Sequence, residues 1–303
     1  MRVDPALADF ARDEVKRQLG RSTRISHVEA LQVGGHHAVL LLTVEPSSRR
    51  LVLKVAGPGD KRAIDYDRTA TVTALAQAAG APVPAILAVD TSYRAGPWRY
   101  LLLEHVDGVE WRHVRPLLDG DEVSSAHRQI AAALLAIQSV RFSSFGELNG
   151  RGQPAAGDLL SALRRRAAIR IADEHARDSF NRLLDREAAL FVMGNQAATL
   201  SHDDLHHANL IFHAAQGRWQ LAGVLDWDKA WAGPAESDVA RMAFWDDMTG
   251  PGFWEVYRAA VPMIDGRSER MLIYQLLWCL EYNETSTRHL IETNSLRGQL
   301  GIQ

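Results

Sequence analysis

The sequence has little of several features that define protein classes. It contains one cysteine, Cys279, among 303 residues, so a disulfide within the chain is impossible. Its 34 basic and 37 acidic residues give a net charge of -3, which provides no electrostatic reason to bind nucleic acid or an anionic membrane. The longest apolar stretches, such as residues 131–137, fall far short of the ~20 residues that span a bilayer. We therefore expect neither nucleic acid nor a membrane as a partner.

The start of the chain lacks the apolar core of a secretory signal peptide, because it carries acids at Asp4, Asp9, Asp13 and Glu14. This pattern predicts a cytoplasmic protein. Cys279 lies in an apolar segment and is expected to be a buried, inert thiol. Oligomeric state has no signature in the sequence.

Lysine is also scarce, with four residues against 34 basic residues in all: Lys16, Lys54, Lys61 and Lys229. Each lysine therefore invites a functional explanation. The rest of the composition, 47% hydrophobic and 23% charged, is typical of a globular protein. The length predicts two domains, or one domain with two lobes.

The first hundred residues have the pattern of strands around one helix. Apolar and β-branched segments separated by turn residues predict antiparallel strands at 24–31, 37–44, 51–56, 86–89 and 98–104. A helix is predicted over 61–79, with Asp60 as its N-cap and Gly80 as its stop.

After residue 107 the pattern changes to long amphipathic helices, predicted at 122–140, at 158–193 with a break near Asp173, and at 267–290. The fold class is therefore expected to be α+β and bilobal. An N-terminal lobe, residues 1–106, would hold a five-stranded antiparallel sheet and one main helix. A larger, mostly helical C-terminal lobe would span residues 107–303, with a ligand cleft between the two lobes.

The strongest local signal lies in residues 201–212, where polar groups are packed between apolar runs at a cost unless they are paired or used. His202, Asp204 and Asn209 have the H-x-D-x-x-x-x-N spacing of the protein-kinase catalytic loop. Farther along, an apolar strand ends abruptly at Asp226. Taken singly, Asp204 could cap a turn and Asn209 could be a satisfied loop amide. The spacing of the set favours a chemical role.

Transfer of a γ-phosphoryl group needs divalent cations to neutralise the phosphates and a carboxylate to orient and deprotonate the attacking hydroxyl. Asp226 and the amide oxygen of Asn209 are oxygen ligands of the kind that Mg²⁺ takes. Asp204 is then left as the base.

Lys54 is the second signal. In the strand 51–56, period-two alternation places this lone cation on the face opposite Leu51 and Leu53. Because an unpaired cation in so apolar a strand is unfavourable, we expect an anion to bind it. The α- and β-phosphates of ATP would provide one. The alternative is a solvated lysine on an edge strand.

Two weaker signals concern the nucleotide. Gly34 and Gly35 lie between the first two strands, where glycines let backbone N–H groups approach phosphates, although a simple hairpin turn explains them equally well. The backbone of Glu104 and Val106, at the connection between the lobes, is predicted to hydrogen-bond adenine on the basis of position alone.

These motifs, together with Gly233-Pro234-Ala235 and Asp238-Val239-Ala240, resemble the aminoglycoside phosphotransferase family over nearly the whole chain. That family has the protein-kinase-like fold and includes choline, homoserine and macrolide kinases. The resemblance implies ATP and Mg²⁺ as cofactors. It also implies residue roles: Asp204 as base, Asn209 and Asp226 as Mg²⁺ ligands, Lys54 as phosphate ligand, His202 as structural support of the site, and Asp238 as a brace of the catalytic loop from a helix.

Two positions depart from the family pattern. Thr69 stands where the helix usually carries a glutamate that pairs with the lysine, so Lys54 is expected to lack that partner and to be held less firmly. Asp65, one helical turn earlier on the same face, could substitute. Asp203 stands where relatives commonly have glycine, and we expect it to be a solvated loop acid or an added carboxylate that influences the base.

Only eleven residues separate Asp226 from Asp238, too few to hold a polypeptide, so the predicted acceptor is a hydroxyl of a small molecule. Aromatic and acidic residues of the C-terminal helices suit amino sugars or quaternary amines, although the same pattern fits a packed core and a solvated face. They are Trp245, Asp246, Asp247, Trp254, Tyr274, Trp278, Glu281, Tyr282 and Glu284.

The function predicted is therefore ATP-dependent transfer of the γ-phosphate to a small-molecule hydroxyl, on an aminoglycoside-like antibiotic, an amino alcohol, a sugar or a similar metabolite. Two alternatives remain open at this stage. Thr69 is compatible with a pseudokinase that only binds nucleotide. His202, Asp203, His206 and His207 could instead hold a transition metal for hydrolysis.

Overall fold

A five-stranded antiparallel sheet with strand order β1-β2-β3-β5-β4 forms the first part of the computed structural model. The structure describes residues 3–34, 37–60, 64–155, 157–192, 196–262, 264–282 and 286–302. The elements up to the end of the sheet are α1 (Pro5–Leu19), β1 (Arg24–Gly34), β2 (His37–Glu45), β3 (Arg49–Ala56), α2 (Tyr66–Ala78), β4 (Ile86–Asp90) and β5 (Arg99–Glu104).

The remaining elements are mostly helical. They are β6 (Val109–Glu110), α3 (Trp111–Val114), a 3-10 turn (Arg115–Leu117), α4 (Gly120–Gln138), β7 (Gly146–Glu147), α5 (Leu159–Arg170), α6 (Glu174–Arg186), α7 (Ala188–Val192), β8 (Ala198–Ser201), β9 (Leu210–Ala215), β10 (Arg218–Val224), β11 (Trp231–Pro234), α8 (Ala235–Met242), α9 (Pro251–Ala260), α10 (Arg267–Glu281) and α11 (Thr287–Gln299). The predicted α+β class, with a five-stranded antiparallel sheet in the first part and mostly helices in the second, is confirmed.

The sheet has one face in the hydrophobic core. Burial alternates along β2, so that Leu40 and Leu42 are fully buried, and Leu53 of β3 joins them. Lys54 therefore lies on the other face, which is the one that lines the cleft. The strand alternation was predicted correctly because period two is a local property of the sequence.

Helix α1 covers the core face of the sheet and was not predicted. Asp4 caps its start, and Phe10 and Ala11 pack into the same core as Leu40. Because the helix is stabilised mainly by this packing, its charge-rich sequence alone gives a weak signal.

Helix α2 begins at Tyr66, so the predicted start at residue 61 was wrong. Asp65 is its N-cap and accepts a hydrogen bond from the backbone N–H of Arg68 at 3.1 Å. The predicted cap, Asp60, instead donates its backbone N–H to the carbonyl of Gly57 at 3.0 Å. Residues 61–63 lie outside the described part of the chain.

The helical predictions for the second part hold with three changes. The break near Asp173 is confirmed, because Asp173 caps α6 after α5 has ended, but the segment breaks again at Glu187, between α6 and α7. Helix α4 begins at Gly120, where Asp119 and Glu122 form a capping box. The predicted helix 267–290 is two helices, since α10 ends at Glu281 and Ser286 caps α11. Among the described residues no helix has the length and apolar content needed to cross a bilayer.

Two three-stranded sheets frame the loop between β8 and β9. One has the order β10-β9-β6 and the other β7-β11-β8. Because β8 belongs to one sheet and β9 to the other, residues 202–209 are anchored at both ends. Cys279 is buried in the core as predicted, and burial raises the pKa of its thiol to about 12.

Candidate active site

The two polar loops of the second lobe are brought together by strand pairing. In the antiparallel pair of β9 and β10, Val224 lies opposite Leu210, so the end of β10 is beside the start of β9. The backbone N–H of Leu225 then donates to the carbonyl of Asn209 at 2.8 Å. The sheet register thus places Asp226 next to the loop that carries Asp204 and Asn209.

Asp238 holds the loop from the first turn of α8. Its carboxylate is fully buried and accepts hydrogen bonds from the backbone N–H groups of His202 at 3.2 Å and Asp203 at 2.7 Å. Burial raises the pKa of Asp238 to about 7. The contacts are those of the brace that the sequence predicted.

His202 joins the two loops. Its Nε2 lies 2.9 Å from the carbonyl oxygen of Leu225, and its Nδ1 accepts the backbone N–H of Asp204 at 3.2 Å. Burial lowers the pKa of His202, so the ring is neutral. One neutral tautomer, with the proton on Nε2, satisfies both contacts. His202 therefore has the structural position predicted for it.

Asp204 lies at the floor of the cleft between two cations. Arg241 donates to its Oδ1 at 2.7 Å, and the ammonium of Lys229 lies 3.3 Å from its Oδ2. Burial alone would raise the pKa of Asp204, but Lys229 and Arg241 outweigh it and lower the pKa to about 2. Asp204 is thus a carboxylate at any physiological pH.

Asn209 and Asp226 present oxygen atoms beside Asp204. The amide nitrogen of Asn209 donates to the carbonyl of Asp204 at 2.9 Å. The side-chain oxygen of Asn209 is therefore the atom that can bind a cation. The Asp226 side chain is 45% exposed, and the backbone of this residue has a positive φ of 65° just after the end of β10. Burial of the site would raise the pKa of Asp226, but the neighbouring ammonium of Lys54 outweighs it, so the pKa is lowered.

A magnesium ion fits this pair of oxygen donors. The described residues contain no cluster of three or more His, Cys, Asp or Glu that could hold a metal on its own. Mg²⁺ is commonly held by one or two protein oxygens together with substrate phosphates and water, and this is the donor set that Asn209 and Asp226 provide.

Lys54 reaches across the cleft from β3. Its ammonium lies 3.0 Å from Oδ1 of Asp226 and 3.6 Å from Oδ2 of Asp228, which joins the sheet to the helical lobe. Burial would lower the pKa of Lys54, but Asp228 and Asp226 outweigh it and raise the pKa. The predicted alternative, a solvated edge lysine, is wrong.

The helix glutamate is absent from α2, as the sequence predicted, but Lys54 does not lack a second carboxylate, because Asp228 lies beside it. The Thr69 hydroxyl donates to Oδ1 of Asp228 at 2.9 Å, and Arg68 donates to the carbonyl of Asp228 at 2.6 Å. Asp228 is therefore fixed by α2 and pairs with Lys54 in place of a helix glutamate. Asp65 does not substitute, because its side chain caps α2.

Asp203 is not a solvated loop acid. It forms an ion pair with Arg166 of α5, whose side chain is 1% exposed. Arg166 also pairs with Glu147 and donates to the carbonyl of Lys229 at 3.2 Å, and its guanidinium lies 4.6 Å from the centre of the Trp231 ring. The loop residue beside Asp204 is thus tied to a buried arginine that sequence reasoning missed.

A cavity of about 1260 Å³ joins these groups. Its sheet side includes Leu31, His37 and Lys54, and its opposite side includes Asp204, Asn209 and Asp226. Gly34 ends β1 opposite His37, while Gly35 lies outside the described residues. The phosphate role suggested for both glycines stays a prediction.

Only one of the two backbone polar groups of Glu104 is left to bind adenine. Its backbone N–H donates to the carbonyl of Ala85 at 2.9 Å, and its side chain pairs with Arg49, so the carbonyl is the Glu104 group left for a ligand. Glu104 and Val106 both line the cavity.

Of the aromatic and acidic residues suggested for the acceptor, Glu281 and Tyr282 line the cavity. Tyr274 is buried against Phe191. The remaining described ones are already in contact with the protein: arginines lie over Trp245, Trp254 and Trp278, Arg115 pairs with Asp247, and the backbone carbonyl of Asp246 lies against the His207 ring. Glu284 lies outside the described residues.

Arg241, Lys229, Asp228 and Arg166 are the site residues that sequence reasoning did not assign. Lys229 carried a usable signal, since lysine is rare in this chain and this one follows Asp226 by three positions. The two arginines carried no such signal, because arginine is common in this chain. The role of each depends on how its helix packs against the catalytic loop.

Comparison with known proteins agrees with this geometry. The sequence model of the phosphotransferase enzyme family matches residues 27–271. Among curated proteins none gives a significant match.

Many solved structures share the fold. An aminoglycoside phosphotransferase, APH(4)-Ia, is 17% identical with a TM-score of 0.67, over 98% of this chain and 97% of that chain. A protein from Thermobifida fusca YX-ER1 assigned as a fructosamine-3-kinase is 18% identical with a TM-score of 0.67, over 96% and 98%. The aminoglycoside phosphotransferase APH(2")-IIa, solved with gentamicin, is 15% identical with a TM-score of 0.63, over 99% and 97%.

Proposed function

We propose, since this chain belongs to the phosphotransferase enzyme family, that it transfers the γ-phosphate of ATP to a hydroxyl group of a small molecule. The observation that carries the proposal is the 3.0 Å contact between Lys54 of the sheet and Asp226 of the helical lobe, in the cavity that also holds Asp204. The ammonium of Lys54 and the carboxylates of Asp226 and Asp204 are thus close enough to contact one bound ligand.

The roles follow from charge and position. Lys54 would bind the nucleotide phosphates. Asn209 and Asp226 would hold Mg²⁺, which when bound neutralises charge on the phosphates. The contact of an ammonium with Asp226 supports this assignment, because it shows that the carboxylate accepts a cation in this position.

Asp204 would orient the acceptor hydroxyl and take its proton. A new bond forms between the acceptor oxygen and the γ-phosphorus, the bond from that phosphorus to the β,γ-bridging oxygen breaks, and ADP leaves. Because the pKa of Asp204 is about 2, the carboxylate is always ready to accept a hydrogen bond, and it takes the proton only as the oxygen becomes acidic during transfer.

The division of labour between the lobes is part of the proposal. Residues 1–106 would bind the nucleotide, and residues 107–303 would supply the metal ligands, the base and the acceptor site. Neighbouring structures support a small acceptor, since one binds ADP and hygromycin B together. We propose the cytoplasm as the compartment, because it supplies the ATP that the reaction needs.

The two alternatives lose support from particular contacts. The pseudokinase hypothesis rested on Thr69, but Asp228 supplies Lys54 with the missing carboxylate. A histidine metal centre is disfavoured because His202 bonds the Leu225 carbonyl and His207 the Asp246 carbonyl, which takes the two rings to different partners.

A coupled assay of ATP consumption against a panel of hydroxylated acceptors tests the proposal. The panel should include aminoglycosides, macrolides, amino alcohols, sugars and hydroxylated acids. Asp204→Asn should reduce turnover at least ~10²-fold while nucleotide binding is kept, because only the base is removed. The control, Asp185→Asn, changes an exposed carboxylate and should leave turnover intact. Near-normal turnover by Asp204→Asn would rule out the base.

A further inference from the structure

The acceptor end of the cavity already contains its own counterions. Each of four carboxylates in this region is contacted by at least one cationic side chain. The pairs are Glu147 with Arg68, Arg166 and Arg170; Asp203 with Arg166; Asp204 with Lys229 and Arg241; and Glu281 with Arg166 and Arg170. Five cationic side chains thus meet four carboxylates. A positively charged acceptor would find no uncompensated carboxylate among the described residues here.

The aromatic faces are occupied in the same way. The ammonium of Lys229 lies 4.2 Å from the centre of the Tyr282 ring, and the guanidinium of Arg241 lies 3.4 Å from the centre of the Trp278 ring. A ligand ammonium gains from an aromatic ring only if a face is free. These two faces are covered by the protein's own cations.

Arg170 has hydrogen-bonding capacity to spare. It lines the cavity at the end of α5, and its ion pairs with Glu147 and Glu281 are long, at 3.7 and 3.8 Å. Its buried Nε has no hydrogen-bond partner among the described residues. A guanidinium in this condition favours an anion that can accept two parallel N–H bonds.

Arg170 and the base belong to one end of the cavity. Lys229 contacts both Asp204 and Tyr282, and the neighbour of Tyr282 in sequence, Glu281, pairs with Arg170. At the nucleotide end, Asp226 and Asp228 face Lys54. An acceptor with its hydroxyl at Asp204 would therefore extend toward Lys229 and Arg170.

We infer that the acceptor is an anionic hydroxylated small molecule, whose carboxylate is bound by Arg170 with help from Lys229 while its hydroxyl lies at Asp204. This inference rests on the proposed function and specifies its substrate class. It runs against the amino sugars and quaternary amines that the C-terminal aromatic pattern had suggested. The anion would balance the charge of the five cations and four carboxylates at the acceptor end and would accept hydrogen bonds from the Arg170 guanidinium.

Isothermal titration calorimetry tests the inference on the full chain loaded with a non-hydrolysable ATP analogue and Mg²⁺. Two matched series keep the ring or carbon chain constant and vary the charge: glucuronate, glucose and glucosamine, and glycerate, glycerol and 2-amino-1,3-propanediol. We expect the anion of at least one series to bind at least ~10-fold more tightly than its neutral and cationic counterparts. Tighter binding of the cations, or no binding by either anion, would overturn the inference.

Variants on α5 make the test specific. Arg170→Gln should weaken binding of the anion at least ~10-fold, Arg170→Lys should restore part of it, and the neutral analogue should be unaffected by either. Arg164→Gln on the same helix, whose partner is the exposed Asp185, is the matched control and should bind as wild type. Equal affinity of Arg170→Gln and wild type would contradict the assignment.

The experiments distinguish failure of the anionic-acceptor inference from failure of the proposed kinase function. Aminoglycoside phosphorylation that depends on Asp204, without any preference for anions, would leave the kinase proposal standing and refute the anionic acceptor. Failure of the ATP analogue itself to bind would refute the kinase proposal and, with it, the inference.

Discussion

Asp228 shows how one residue compensates for another at a distance in sequence. It accepts the Thr69 hydroxyl on one oxygen, while the other lies 3.6 Å from the Lys54 ammonium. Thr69 could be recognised from the sequence as a departure from the family pattern. Its compensation could not, because the contact spans 159 residues and depends on how α2 meets the end of β10.

We predict that Asp228→Asn raises the KM for ATP about 10-fold, because Lys54 loses one of its two carboxylate partners and its charge is oriented less firmly. A factor of ten corresponds to ~1.4 kcal/mol, the scale of one charge-assisted hydrogen bond. Steady-state kinetics at saturating acceptor measure it.

Thr69→Val is the companion variant, since it removes only the hydroxyl that holds Asp228. We expect the same direction with a smaller effect. An unchanged KM for ATP in both variants would show that Asp228 has no part in placing Lys54.

The charge state of Asp204 is set by its neighbours, and this gives a pH prediction. Burial would raise the pKa of Asp204, but the charges of Lys229 and Arg241, the hydrogen bond from Arg241 and, to a smaller extent, His206 hold it near 2. Removing the ammonium disfavours the carboxylate, so in Lys229→Met its pKa rises. The acidic limb of kcat/KM should therefore move at least ~1 pH unit higher than in wild type.

The profile should be recorded from pH 2 to 8 wherever the protein stays folded, because the limb set by Asp204 lies near pH 2 in wild type. Lys16→Met, which removes an exposed lysine of α1, is the control and should follow the wild-type curve. An acidic limb in Lys229→Met that coincides with wild type would mean that Lys229 does not tune the base.

At the scale of elements, α5 and α8 act on the catalytic loop from two sides. Asp238 of α8 binds the loop backbone, and Arg166 of α5 binds the Asp203 side chain. The family resemblance implied a bracing role for Asp238, because this residue belongs to a short motif. The sequence could not predict Arg166, since three consecutive arginines stand at 164–166 and only docking of the helix decides which one is buried.

Burial of Arg166 leads to a stability prediction. Arg166→Met fills similar volume but leaves Asp203 without the cation that pairs with it and removes one of three cations from Glu147, so the free energy of unfolding should fall by about 3–5 kcal/mol. Urea unfolding followed by circular dichroism measures the change. Arg164→Met removes an exposed ion pair and should cost at most ~1 kcal/mol. Equal effects of the two variants would contradict the role given to Arg166.

Element boundaries show the same division between local and distant information. The alternation of β3 and the helix break near Asp173 could be predicted, because both depend on neighbouring residues. Helix α1 and the true start of α2 at Tyr66 could not, because packing on the sheet and capping by Asp65 decided them.

At the scale of the whole molecule, the nucleotide should act as a bridge between lobes. A ligand that binds only the folded state at 100 times its Kd adds about 2.7 kcal/mol of stability. We therefore predict that MgADP raises the Tm of the wild type by several degrees and that Lys54→Met loses most of this increase. Scanning fluorimetry measures both. An equal increase in the variant would show that nucleotide binding does not involve Lys54.

The account's central claim is that Lys54 from the sheet and Asp226 from the helical lobe serve one phosphoryl-transfer site. Transfer of ³²P from γ-labelled ATP into a hydroxyl acceptor tests it most directly, with wild type, Lys54→Met and Asp226→Asn compared at subsaturating ATP. We predict transfer by wild type and a loss of at least ~10²-fold in both variants. No labelled product with wild type and any acceptor class, or wild-type rates in either variant, would contradict the claim.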